Sequence, residues 1–220
     1  IGFRRVSFSE LIENIPDYYQ YPLRFDLPYQ LAQFRDANGM TKLELYYGIN
    51  GERVAHRPAR PGVDSVRVNQ ALFLFDAEWD TVYQTAGLVR MMPVVEYAST
   101  QVAYLLASER VLLKPGAYYL AAEAEDQVTD RVGTLRDTLQ VRRFGRDHLE
   151  LSSLLMARRI VELDNGPPGR ERYLVLPNPL LEAPRSGTAS FYFEVYNLSQ
   201  DTFGATRYRV TYQTRVIPES

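Results

Sequence analysis

An all-β fold of two tandem β-sandwich modules is predicted by three features of this 220-residue sequence. From Phe25 onward, β-branched and aromatic residues recur with period two in runs of roughly five to ten residues, broken by Gly, Pro, Asn and Asp. The runs fall into two groups, because the pattern restarts after Phe144 without a long linker. Only one short stretch, near the N-terminus, carries helix signals. The expected organisation is a helix and extended connector over 1–24, a first sandwich over 25–144 and a smaller second sandwich over 145–220.

In the opening stretch, Ser7 and Glu10 form a capping box, while Val6 and Leu11 occupy the two positions of a hydrophobic staple. Pro16 should end that helix within about two turns. The segment Asp17–Pro22, with Tyr18, Tyr19 and Tyr21, reads as an extended connector that packs its rings on a neighbouring surface. Candidate strands of the first module are Phe25–Phe34, Thr41–Asn50, Gln70–Trp79, Val82–Met92, Thr100–Leu113, Ala117–Asp126 and Gly133–Phe144.

Leu113–Tyr118 carries the most specific local feature. Lys114, Pro115 and Gly116 make a turn, and Tyr118, Leu120, Ala122 and Ala124 then alternate on one face. This resembles the tyrosine corner of immunoglobulin-like and fibronectin type III sandwiches, in which a tyrosine hydroxyl bonds to backbone just upstream while its ring joins the core. The first module is therefore expected to be immunoglobulin-like, with Pro115, Gly116 and Tyr118 in structural roles. Asp126–Asp130 reads as the turn before the closing strand.

In the second module the candidate strands are Leu149–Val161, Arg172–Leu176, Ala189–Leu198 and Thr206–Ile217, with an Asp164–Gly169 loop. In the last run Tyr208, Val210, Tyr212, Thr214 and Val216 share one face, and Arg207, Arg209, Thr211, Gln213 and Arg215 the other, the pattern of an antiparallel strand with one solvated side. So few strands close a sandwich poorly, and the module is expected to borrow strands or leave an edge open.

Tyr118–Phe144 joined to Leu149–Ala157, and the run Phe191–Leu198 after Leu176-Pro-Asn-Pro179, resemble the C-terminal β-rich region of bacterial GWxTD-domain proteins. The resemblance spans Thr41 to the end, although the naming motif is absent and the single tryptophan, Trp79, follows Glu78 where that motif has glycine. It implies an exported, extracytoplasmic protein (periplasmic or at the cell surface) and no particular reaction. With the non-Met start, it also implies that the chain is part of something longer.

A net charge of -2 offers little attraction to nucleic acid or anionic lipid. No apolar run reaches the roughly 20 residues of a membrane helix, so membrane insertion is not expected. The absence of Cys removes disulfides, thiolate nucleophiles and Cys-ligated metals. No phosphate-binding glycine loop, nucleophile elbow, His-Glu-x-x-His or EF-hand occurs, and no cofactor is expected.

The remaining candidates for chemistry have plain structural alternatives. His56 and His148 are the only imidazoles, both in loop-like sequence. Asp76, Glu78 and Asp80 would project three carboxylates from one face of a regular strand, a weak calcium candidate. Glu123 and Glu125 likewise share a face. Arg207, Arg209 and Arg215 form a candidate partner surface or a charged guard against edge aggregation. The expectation is a non-catalytic structural or protein-binding module, partnered by another protein or by the rest of a longer chain, with an edge-strand dimer as one form. The alternatives are a carbohydrate-binding module, signalled by a row of exposed aromatics, and a hydrolase or metal-dependent enzyme.

Overall fold

The computed structural model describes residues 24–60, 63–91, 95–97, 102–164, 170–183 and 188–213. The expected N-terminal helix and the tyrosines at 18, 19 and 21 lie outside the described residues. The fold is all-β, built of β-sandwich modules, and among the described residues no helix is long and apolar enough to cross a membrane.

The first sandwich comprises β1 (Arg24–Asp26), β2 (Tyr29–Arg35), β3 (Thr41–Asn50), β4 (Arg57–Arg60), β5 (Val63–Phe75), β6 (Thr81–Met91), β7 (Val95–Tyr97), β8 (Val102–Leu113), β9 (Gly116–Asp126) and β10 (Val132–Val141). One sheet runs β2-β3-β8-β7; the other runs β1-β10-β9-β5-β4, with β6 also on β5. That is the strand order of an immunoglobulin-like sandwich, with β5, β9 and β10 standing as its C, F and G strands. Alternate residues face inward, so Leu43, Leu45, Tyr47 and Ile49 of β3 meet Leu72 and Leu74 of β5 and Leu120 and Ala122 of β9 in one core.

At the β8–β9 corner the Tyr118 hydroxyl donates to the Lys114 carbonyl at 2.8 Å, across the turn formed by Pro115 and Gly116. The ring is buried in the core, so the bond satisfies a hydroxyl that would otherwise be desolvated. Tyr118→Phe is expected to lower stability by about 1 kcal/mol in urea titration while leaving the fold intact.

The first predicted run, Phe25–Phe34, is two strands. Pro28 lacks an N–H and breaks the ladder, and the chain changes sheets there. β1 pairs in parallel with β10, whereas β2 pairs antiparallel with β3. Opposite Phe25 the backbone approaches so closely that a Cβ on Gly133 would stand 2.4 Å from the Phe25 ring. β4 and β7, short and near prolines, were not evident from periodicity.

The second module consists of β11 (Glu150–Leu151), β12 (Leu155–Glu162), β13 (Tyr173–Pro177), β14 (Ser190–Tyr192) and β15 (Val195–Tyr196). Its sheet β13-β12-β14 uses the outer face of β2–β3 as its facing layer: Ala32, Phe34 and Tyr46 share a second core with Leu155, Ala157, Val175 and Tyr192. Polar ties fix the docking. Gln33 N–H donates to Ser153 Oγ at 3.0 Å and Ser153 N–H to the Gln33 carbonyl at 3.0 Å. Arg35 N–H donates to Tyr196 Oη at 3.0 Å, and its guanidinium to Asn197 Oδ1 at 2.6 Å.

One strand expectation is overturned. Thr206–Ile217 has the clearest alternation in the module, yet residues 206–213 form no strand, and residues 214–217 lie outside the described residues. Alternation makes a segment competent to pair; no neighbouring strand presents itself to this one within the described chain.

Candidate functional site

The outer face of the β10-β9-β5-β6 sheet carries an unusual group of side chains. Reading across the ladder, Tyr119 of β9 lies between Phe75 and Thr138, Ala121 between Phe73 and Arg136, and Glu123 between Ala71 and Thr134. Aromatic rings thus occupy one end of the face, Ala121 sits low between Phe73 and Arg136 in the middle, and the Glu123 carboxylate lies at the other end.

Trp79 completes the aromatic end. β5 stops at Phe75, and Asp76 caps the following loop: its Oδ1 accepts from the backbone N–H groups of Glu78 at 3.2 Å and Asp80 at 2.9 Å. Trp79 N–H donates to the Asp76 carbonyl at 3.2 Å, and the hairpin closes with Trp79 at φ 68°. Glycine or asparagine ordinarily fills such a left-handed hairpin position, and a bulky residue there costs about 1–3 kcal/mol. The indole stacks on Tyr119 at 4.2 Å with planes 5° apart and tilts against Phe75 at 6.0 Å. It nevertheless remains 57% exposed. Beside it lies a hollow of about 280 Å³ whose lining includes Phe75, Trp79, Tyr119, Ala121, Arg136, Asp137 and Thr138.

The same loop corrects the calcium candidate. Asp76, Glu78 and Asp80 do not project from a strand face; they belong to a turn whose first carboxylate is occupied by backbone donors. Among the described residues no three His, Cys, Asp or Glu side chains gather in a metal-holding group.

Further along the face, Glu123 is drawn out of the usual carboxylate range. Burial and the charge of Glu125 push it up to about 7, against the pull of Arg136. Glu125 accepts from Asn69 Nδ2 at 3.0 Å.

The imidazoles serve local structure. His56 contacts the Gly51 carbonyl through Nε2 at 2.7 Å. His148 stands on an exposed turn between Asp147 at 2.8 Å and Glu150 at 2.7 Å. The hydrogen bond with Asp147 raises the His148 pKa and lowers that of Asp147. Both nitrogens point at carboxylates on the same short turn, an arrangement that orders the β10–β11 connection.

Two further features escaped sequence reading. Glu44 has an outward position on β3 but is wholly buried beneath the second module. It accepts from the Tyr46 hydroxyl and faces Arg110 Nε at 3.4 Å and Lys42 Nζ at 4.0 Å. The outer face of β12–β13 holds a hollow of about 400 Å³ lined by Arg159, Val161, Leu174, Val175 and Leu176, with Leu174 61% exposed.

The arginine stripe falls on the segment that is not a strand. Arg207 and Arg209 are exposed, and Arg215 lies outside the described residues. In the same segment Tyr208, Val210 and Tyr212 are also exposed, Tyr212 by 87%.

Together these features define an immunoglobulin-like β-sandwich with a smaller β module docked on one sheet and exposed aromatic surfaces elsewhere. No family model matches the chain, and no curated protein matches it.

Proposed function

We propose that the chain is a non-catalytic protein-interaction module of a larger exported bacterial protein, and that it engages its partner by donating the segment Thr206–Gln213 as a strand. The observation that carries this reading is the exposure of Tyr208, Val210 and Tyr212 on a segment with strand alternation and no strand partner in the described chain. An exposed apolar row rimmed by charge is the mark of an interaction surface, and strand addition supplies both main-chain hydrogen bonds and alternate side-chain pockets. Arg207 and Arg209, on the opposite face, favour an acidic flank on the receiving edge. The likeness to GWxTD-domain proteins supports an extracytoplasmic setting.

A photo-crosslinking amino acid at Tyr212 of the full chain, expressed in its source cell, tests this directly. A discrete protein adduct is expected, and Val210→Pro, which deletes a ladder N–H in a solvent-exposed segment, should reduce it at least about tenfold. Absence of a discrete adduct, or an adduct indifferent to Val210→Pro, contradicts the reading.

A further inference from the structure

From the geometry of the β10-β9-β5-β6 face we infer that the hollow between Trp79, Tyr119 and Arg136 is a binding site for a neutral pyranose unit of an oligosaccharide. This site is separate from the donated segment and adds a second ligand to the module.

Ring geometry comes first. Tyr119 covers one face of the Trp79 indole in a parallel stack, and the residue still exposes more than half of its surface at the hairpin tip. A flat, half-covered aromatic fits the axial C–H face of a pyranose, which presents apolar hydrogens on one side and hydroxyls at its rim. The backbone supports the same conclusion. A left-handed conformation is held by a bulky residue where glycine would be easier, and such local violations gather at functional sites.

Next come size and polarity. At about 280 Å³ the hollow is just below the roughly 300–1,000 Å³ spanned by ligand pockets, room for one ring. Ala121 leaves the floor low between Phe73 and Arg136. Arg136 and Thr138 line one wall with hydrogen-bonding groups suited to hydroxyls. Glu123 and Glu125 follow Ala121 on the same face of β9, which disfavours an anionic ligand. A purely aliphatic ligand would leave the arginine and threonine groups without a role.

Trp79 is the only tryptophan, so its emission reports the site without labelling. The full chain is titrated with cellotetraose, mannotetraose, xylotetraose, laminaritetraose and chitotetraose. A saturable change in emission is expected with at least one probe, with Kd between about 10 µM and 1 mM. Ala121→Gln, which fills the floor and keeps the reporter, should weaken that probe at least about tenfold, and Arg136→Ala at least about fivefold. Trp79→Gly, followed by calorimetry, should lose binding while relieving the left-handed backbone. Val210→Pro should change nothing, which separates this site from the strand-donating segment. No saturable response to any probe up to about 10 mM overturns the inference, as does binding that survives Ala121→Gln. Should Trp79→Gly fail to fold, Ala121→Gln decides the matter alone.

Discussion

Leu155→Ala is expected to destabilise the entire protein by about 3 kcal/mol, read as a lowered urea midpoint in a single transition. Leu155 is fully buried, but its neighbours belong to two modules: Phe34 and Tyr46 come from the first sandwich, Val175 and Tyr192 from the second. Removing its isobutyl group leaves a cavity in the seam between layers, so both modules lose packing at once. Leu174→Ala is the internal control. Leu174 sits on the same small sheet with its side chain on the open face, and its truncation should cost less than about 0.5 kcal/mol. Equal effects of the two substitutions would mean that the small sheet is not held by the β2–β3 face.

The second large effect concerns pH. Glu123 has its folded-state pKa raised from 4.5 to about 7 by burial and by Glu125. A carboxyl whose pKa is higher when folded favours the folded state while protonated, so this contribution is complete below the ordinary value and disappears as pH rises through about 7. Stability should therefore fall by about 2 kcal/mol across that window, once solvent screening on an open sheet face is allowed for. Glu123→Gln keeps the shape, carries no charge, and should flatten the profile while raising stability above neutral pH. Thermal midpoints of both proteins from pH 4 to pH 9 check this, and a variant that retains the wild-type slope would move the cause elsewhere.

Much of the first sandwich was legible because its signals are local and repeated. β3 runs from Thr41 to Asn50 as the alternation indicates, and the tyrosine corner is announced by Lys114-Pro-Gly116 followed by Tyr118. Asp126 was readable as a turn residue. Its carboxylate accepts from Val128 N–H at 3.2 Å and Thr129 Oγ1 at 2.5 Å, and it also reaches Ala55 N–H at 2.9 Å.

What stayed hidden depends on neighbours distant in sequence. Periodicity marks Glu44 as solvated because it alternates with core residues, but a third layer covers that face. It marks Thr206–Gln213 as a strand because alternation records competence to pair and says nothing of a partner. The carboxylates at 76, 78 and 80 seemed to share a face because strand parity was carried through a hairpin, where it lapses. In the same hairpin the aromatic site was missed. Phe75 and Trp79 share one run of sequence, Tyr119 belongs to another, and only the β5–β9 register brings the three together. The positive φ of Trp79 has no sequence signature, since the expected residue there is glycine.

Amide hydrogen exchange on the full chain tests directly whether a single body of docked β layers presents the open segment Tyr208–Gln213 to a partner. The amides of β2, β3 and β12 should exchange together, at the rate of global unfolding, while those of Tyr208–Gln213 exchange at the rate of an unstructured peptide. Exchange of β12 well before β3, or protection of Tyr208–Gln213 equal to that of the core, would contradict it.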